Sequence, residues 1–255
     1  MSSWAQLQEE IEQWQQPVEF WWRDDDAIAD TPALQTMLAL AKKFAIAVHL
    51  AVIPNQMQAS LAVLQAEHNQ AFSYVLQHGV EHSNCAHPGQ RKIELGGSQN
   101  IAQLQRALAL GRAKLKGTFG DQYLDILVPP WNRIQAIVVD TLPDIGYRKL
   151  SILGSPKLVE DDFQLNVHID IINWKQRCFA GEAHVLEKII SHLRSKRNHL
   201  QNASGDLLAN SRPCGLMTHH LDHDLQCWQF IERFFSFCQH NANIKWCSGA
   251  ALYSL

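Results

Sequence analysis

Three short stretches of the chain collect the residue types that hold metals and move protons. The first is Arg23-Asp24-Asp25-Asp26, directly after Trp21-Trp22. Neighbouring carboxylates raise one another's pKa unless a cation lies among them, and a metal ion is the economical cation. The alternative is a helix N-terminus, where aspartates accept free N–H groups; Asp30-Thr31-Pro32 has the make-up of such a start. The second stretch is His82-Ser83-Asn84-Cys85-Ala86-His87-Pro88, with two imidazoles and a thiol within six residues. Zinc accepts imidazole, thiolate and carboxylate together. On a helix His82 and Cys85 share a face, in a loop His82 and His87 converge, and the competing reading is a pair of exposed loop histidines. The third is Thr218-His219-His220 at the end of an apolar run, where strand alternation sends one imidazole to each face. One is then placed as a general acid or base, with Asp222 or Asp224 to orient it, unless both are hydrogen-bonded core histidines.

These groups need elements that bring them to one place. Apolar runs at 18–23, 46–53, 72–77, 124–129, 147–153, 166–172, 214–218 and 244–247 alternate with helical patterns at 33–44, 57–67, 98–116, 132–142, 182–200 and 224–240. That β-α rhythm predicts parallel strands covered by helices. Runs such as IAVHLAVI and LDILV suit strands buried on both faces. Eight candidate strands predict an α/β fold, an irregular (β/α) barrel of seven or eight strands, formed by residues 1–255 as a single domain. Residues 1–17, with Trp4, Leu7, Ile11 and Trp14 at helical spacing before Pro17, predict an N-terminal capping helix. The stretch 200–213 reads as a long surface loop. In parallel α/β folds reactive groups gather at the carboxyl ends of strands, where all three stretches fall.

Composition limits the function. Of 255 residues 46% are hydrophobic and 18% charged, and the net charge is −3, which gives no bulk attraction to nucleic acid or anionic membrane. The first residues have no basic and apolar leader, and no run is apolar enough to span a bilayer, so a cytoplasmic protein is expected. Six dispersed cysteines, none in a CxxC pair, are expected to be reduced thiols. No GxGxxG or P-loop competes for the function.

Taken in order, five motifs resemble the polysaccharide deacetylases, the NodB homology or carbohydrate esterase 4 family, over about residues 18 to 250. WWRDDDA is similar to the family's Thr-Phe-Asp-Asp-Gly segment. HSNCAHP is similar to its His-Ser/Thr-x-x-His, with Ala86 at the position of the second histidine. VPPWN is similar to Arg-Pro-Pro-Tyr/Trp-Gly, with Val128 in place of the arginine that orients the base; Arg23 or Arg133 is available instead. HIDIINW is similar to the Asp and Trp motif of the acyl pocket, and LMTHH to the closing Leu-x-His.

The resemblance implies a metal-dependent barrel that hydrolyses an N-acyl amide, with a divalent metal, zinc first among candidates, and an N-acetylated sugar or small amide as substrate. It implies Asp24 as base, in a register open by one residue, and His219 as acid, with His220 the alternate. Asp25, His82 and His87, or Cys85 in place of His87, are the implied ligands. Pro130, Trp131, Asp170 and Trp174 are implied around the substrate. The changes at Val128 and Ala86 leave a second class open, a ligand-binding barrel without turnover.

Overall fold

A computed structural model of the chain describes residues 3–68, 72–155, 162–202 and 212–254. In chain order it contains α1 (Trp4–Glu12), β1 (Val18–Ala27), α2 (Pro32–Phe44), β2 (Val48–Val52), α3 (Ala59–His68) and β3 (Ser73–His78). Next come α4 (Ile101–Phe119), β4 (Tyr123–Val128), α5 (Ala136–Val139), α6 (Leu142–Ile145) and β5 (Lys149–Leu150). The remainder is β6 (Ile169–Asp170), β7 (Ile172–Asn173), β8 (Cys178–Phe179), α7 (Glu182–Asn202), β9 (Cys214–Thr218), α8 (Leu225–Gln239) and β10 (Ile244–Trp246).

One parallel sheet runs β5-β4-β3-β2-β1-β9-β6, with β10 also paired to β1. Its ends approach through the segment before β6. Leu165 donates to the Leu150 carbonyl and Val167 to the Ile152 carbonyl, while His168 donates to Gly215 of β9. The result is the distorted α/β barrel expected from the alternating runs. The expected strand at 166–172 is only partly regular: β6 and β7 are two residues each, because Asp170 turns its carboxylate onto the Ile172 amide. The expected helix at 132–142 is two single turns separated by Asp140 and Thr141. Most of the stretch 200–213 lies outside the described residues.

The strand pleat separates two apolar layers. Trp21, Ala51, Leu76, Ile126 and Met217 fill the barrel interior. Phe20, Trp22, Leu50, Val75 and Leu216 pack outward against the helices, including Phe234 and Phe235 of α8. Thr31 caps α2 ahead of Pro32, as the sequence predicts, and Ser3 and Gln6 form a reciprocal cap on α1. Leu7 and Ile11 of α1 are buried, and Glu10 is gripped by Arg197 and Arg194 of α7, which fastens this helix over the barrel. All six cysteines are free thiols. Among the described residues no helix is long and apolar enough to cross a membrane.

Candidate metal and hydrolytic site

The phase of the β1 pleat decides what each aspartate does. Trp21 and Arg23 project into the barrel, so Asp25 does too; Phe20 and Trp22 project into the helix layer, so Asp24 does too. Asp24 is fully buried there. It accepts the Thr218 hydroxyl at 2.6 Å and the His220 amide at 3.0 Å, and its other oxygen lies 2.5 Å from His220 Nδ1. Burial raises the Asp24 pKa, but His220, His223 and the Thr218 hydroxyl together outweigh it and hold the carboxyl below its ordinary value. Asp24, the residue expected as the base, is therefore placed as a buried anion beside His220 and not at the barrel mouth.

Asp25 lies on the inner face in a two-pronged ion pair with Arg23. Nε is 2.9 Å from Oδ1, and an Nη donates to Oδ2 at 2.9 Å. The guanidinium is fully buried and also donates to the Ser151 carbonyl and hydroxyl and to Asn132 Oδ1. Of the two arginines the sequence offers in place of Val128, Arg23 is the one beside Asp25, and Arg133 donates to the Lys92 carbonyl. Across the mouth, His219 Nε2 is 3.9 Å from Asp25 Oδ2. His219 and His220 face opposite sides, as alternation requires, with His219 inward. Its ring meets the edge of Trp174 at 4.6 Å, and the Trp174 indole donates to Asp170 at 2.7 Å. Burial raises the Asp170 pKa.

Asp26 breaks the alternation within β1. Its φ of +70° accompanies a register irregularity between Asp24 and Ala27, and its carboxylate meets His78 Nε2 at 3.1 Å and His82 Nε2 at 3.4 Å. One ligand atom from each of these residues lies within 4.8 Å of the others. The set fits a divalent cation. Asp26 Oδ1 is buried without a well-aligned hydrogen-bond donor, and His78 Nδ1 lies 3.0 Å from the Val128 carbonyl. Donation from Nδ1 to that carbonyl leaves the Nε2 lone pair toward Asp26, the support a ligating imidazole receives. His82 has φ +59°, and Trp131 and Asn132 have φ +55° each. Four non-glycine residues in the left-handed region around one site mark backbone held in costly conformations.

The cluster and the expected ligand set share one residue. His82 is in the cluster, whereas Asp25 is engaged by Arg23, His87 is exposed, and the Cys85 thiol receives the Gln99 amide at 3.1 Å. The sequence places His78 among the polar residues at the end of the third apolar run but not in the ligand set, because it closes that run; the four-residue spacing His78-Gly79-Val80-Glu81-His82 is the signal that pairs it with His82. Of the expected substrate residues, Trp131 lies against His82 at 4.5 Å between ring centroids and Trp174 is 46% exposed beside His219. Asp170 lies behind Trp174, and Pro130 is buried against Gly79. A second cluster, His168, His192 and Cys214, lies at the opposite end of the barrel. There His168 Nδ1 accepts the Gly215 amide, which puts the ring proton on Nε2 and makes this imidazole a poor ligand.

No family model matches the sequence, and no curated protein matches it. Solved structures do. A family 4 carbohydrate esterase from Streptomyces lividans, in complex with acetate, is similar with a TM-score of 0.55 at 12% identity, covering 92% of each chain. A family 4 acetyl xylan esterase from Clostridium thermocellum, in complex with a cobalt ion, is similar with a TM-score of 0.54 at 10% identity, covering 92% of this chain and 90% of that one. A peptidoglycan deacetylase from Bacillus subtilis is similar with a TM-score of 0.51 at 13% identity, covering 89% and 85%. The protein therefore has the fold of the family 4 carbohydrate esterases and polysaccharide deacetylases, in a divergent sequence.

Proposed function

We propose that the protein is a metal-dependent hydrolase of an N-acyl amide, on an N-acetylated sugar or a related small amide, with Asp25 as base and His219 as acid. The observation that supports it best is that both face the barrel interior beside the Asp26-His78-His82 cluster, 3.9 Å apart, on neighbouring strands. Asp26, His78 and His82 would hold the metal, with zinc as the first candidate. When bound, a divalent ion supplies Lewis-acid polarisation of a carbonyl and acidifies water.

The residues divide the remaining work. Asp25 takes a proton from the water whose oxygen attacks the acyl carbon, and Arg23 fixes the direction of that carboxylate. His219 gives a proton to the nitrogen as the C–N bond breaks, so an acid and a free amine leave. Asp170 and Trp174 restrict the imidazole, and Trp131 walls the pocket on the side of His82.

The test is a screen of N-acetylated sugars and small amides with zinc or cobalt added, following released acetate or amine. With a substrate in hand, Asp25→Asn and His219→Ala are each expected to lower kcat by roughly two to four orders of magnitude while metal content is kept. Full turnover by Asp25→Asn overturns the assignment of the base. If amides bind but none is hydrolysed with any metal, the ligand-binding barrel replaces the enzyme.

A further inference from the structure

The lip of the site beyond Trp131 carries a group of cations, Arg91, Lys92 and Arg133. Arg133 donates to the Lys92 carbonyl at 2.9 Å, and Lys92 Nζ lies 5.6 Å from the centroid of the Trp131 ring. Trp131 in turn touches His82, so the cations begin one ring away from the metal cluster. Burial lowers the Arg133 pKa, and the charge of Arg91 lowers it further, which places the two guanidinium groups in each other's field. Among the described residues no carboxylate forms an ion pair with Arg91, Lys92 or Arg133. Glu94, two residues along the chain from Lys92, is turned inward and accepts the amides of Val80, Glu81 and Ser83.

We propose that Arg91, Lys92 and Arg133 bind a phosphate or diphosphate ester carried by the substrate, alongside Trp131. This rests on the reading of the site as an amide hydrolase. Three like charges in a chain of net charge −3 are a local concentration that one carboxylate does not neutralise. A phosphate group carries about −1.5 to −2 near neutral pH and three acceptor oxygens. The arginine forks match those oxygens in pairs, and the lysine adds a point charge. The substrate class is then an acylated amino compound, such as a sugar, bearing an anionic phosphoryl group on the side away from His219.

Inorganic pyrophosphate is the first probe, titrated calorimetrically into the protein as isolated. The Arg91→Gln/Arg133→Gln double variant is expected to bind at least about tenfold more weakly, because charge-assisted hydrogen bonds are lost. Lys42→Gln, on an exposed face of α2, serves as the control and is expected to bind as wild type does. Thermal melting of the double variant checks its fold. Two further arms separate the sources of the phosphoryl group: uridine diphosphate in solution, and co-sedimentation with phosphatidylcholine vesicles containing phosphatidic acid. Unchanged pyrophosphate affinity in the folded double variant, or no binding by wild type, overturns the proposal. Loss of binding in that variant, in a protein that hydrolyses no amide, overturns the hydrolase reading and leaves this one standing.

Discussion

Asp24 and Asp25 are adjacent in sequence yet lie on opposite sides of a strand, and their substitutions are expected to fail in different ways. Removing Asp24 strips the partner from a buried imidazole whose pKa it raises against the effect of burial. Asp24→Ala is expected to cost about 3–5 kcal/mol, read by urea unfolding, as for other buried pairs that lose one member. Asp25→Asn belongs to the kinetics instead. At the metal cluster, His78→Ala is expected to abolish stoichiometric metal in elemental analysis, and His87→Ala to leave it unchanged. Equal metal content in the two variants would sink the Asp26-His78-His82 assignment. The aspartate run, His82 and the His219-His220 pair were legible in the sequence, but His78 as a partner of His82 and the phase of the aspartate run were not. Trp21 and Trp22 are both apolar and both buried, so β1 has no inside-outside pattern to read.

At the scale of elements, the exit from β3 shows why the histidine spacing takes the form it does. Gly79 has φ +55°, and a Cβ there would lie 2.0 Å from Glu94 Oε2 and 2.6 Å from Pro130 Cδ. The turn that brings His82 back over His78 thus needs glycine both for its backbone and for space. Gly79→Ala is expected to lose stability by more than about 1 kcal/mol and to weaken metal binding together with it, which paired melting and metal titrations would show. Full metal affinity in this variant would mean that the turn does not place His82. The long elements were readable from periodicity, since α2, α4, α7 and α8 lie close to their expected bounds. The short ones were not. β5 and β6 are held by closure of the barrel, and β7 by antiparallel pairing with β8 and the bond from the Ile172 amide to Asp170, and two-residue strands leave no period in a sequence.

For the molecule as a whole, acid sensitivity should arise away from the site. Burial lowers His49 to about 4, and burial with the nearby Lys196 does the same for His192. Burial keeps His49 neutral against the Trp22 carbonyl, which accepts from Nδ1 and favours the charged ring, while the Gly249 amide donates to Nε2 and occupies its lone pair. The unfolded chain binds these protons at higher pH than the folded one, so their contribution to stability is complete above the ordinary histidine pKa of about 6.5 and declines down to about 4. Each group contributes a slope of about 1.4 kcal/mol per pH unit within that window. Urea midpoints measured from pH 7 to 4 should fall accordingly, and His49→Gln should flatten the curve. A midpoint independent of pH would refute the neutral, buried state of both rings.

Arg23 and Asp25 also share one strand, two residues apart, on one face. A guanidinium delivered from the β4 loop would lose its aim whenever that loop was lengthened or rebuilt, whereas here covalent geometry and the pleat hold the pair together. The loop carrying Trp131 and Arg133 can be exchanged without disturbing the orientation of Asp25, provided a replacement for the Asn132 contact to Arg23 is kept. The β4 exit is therefore a place where the sequence can change while the strand-borne pair stays intact.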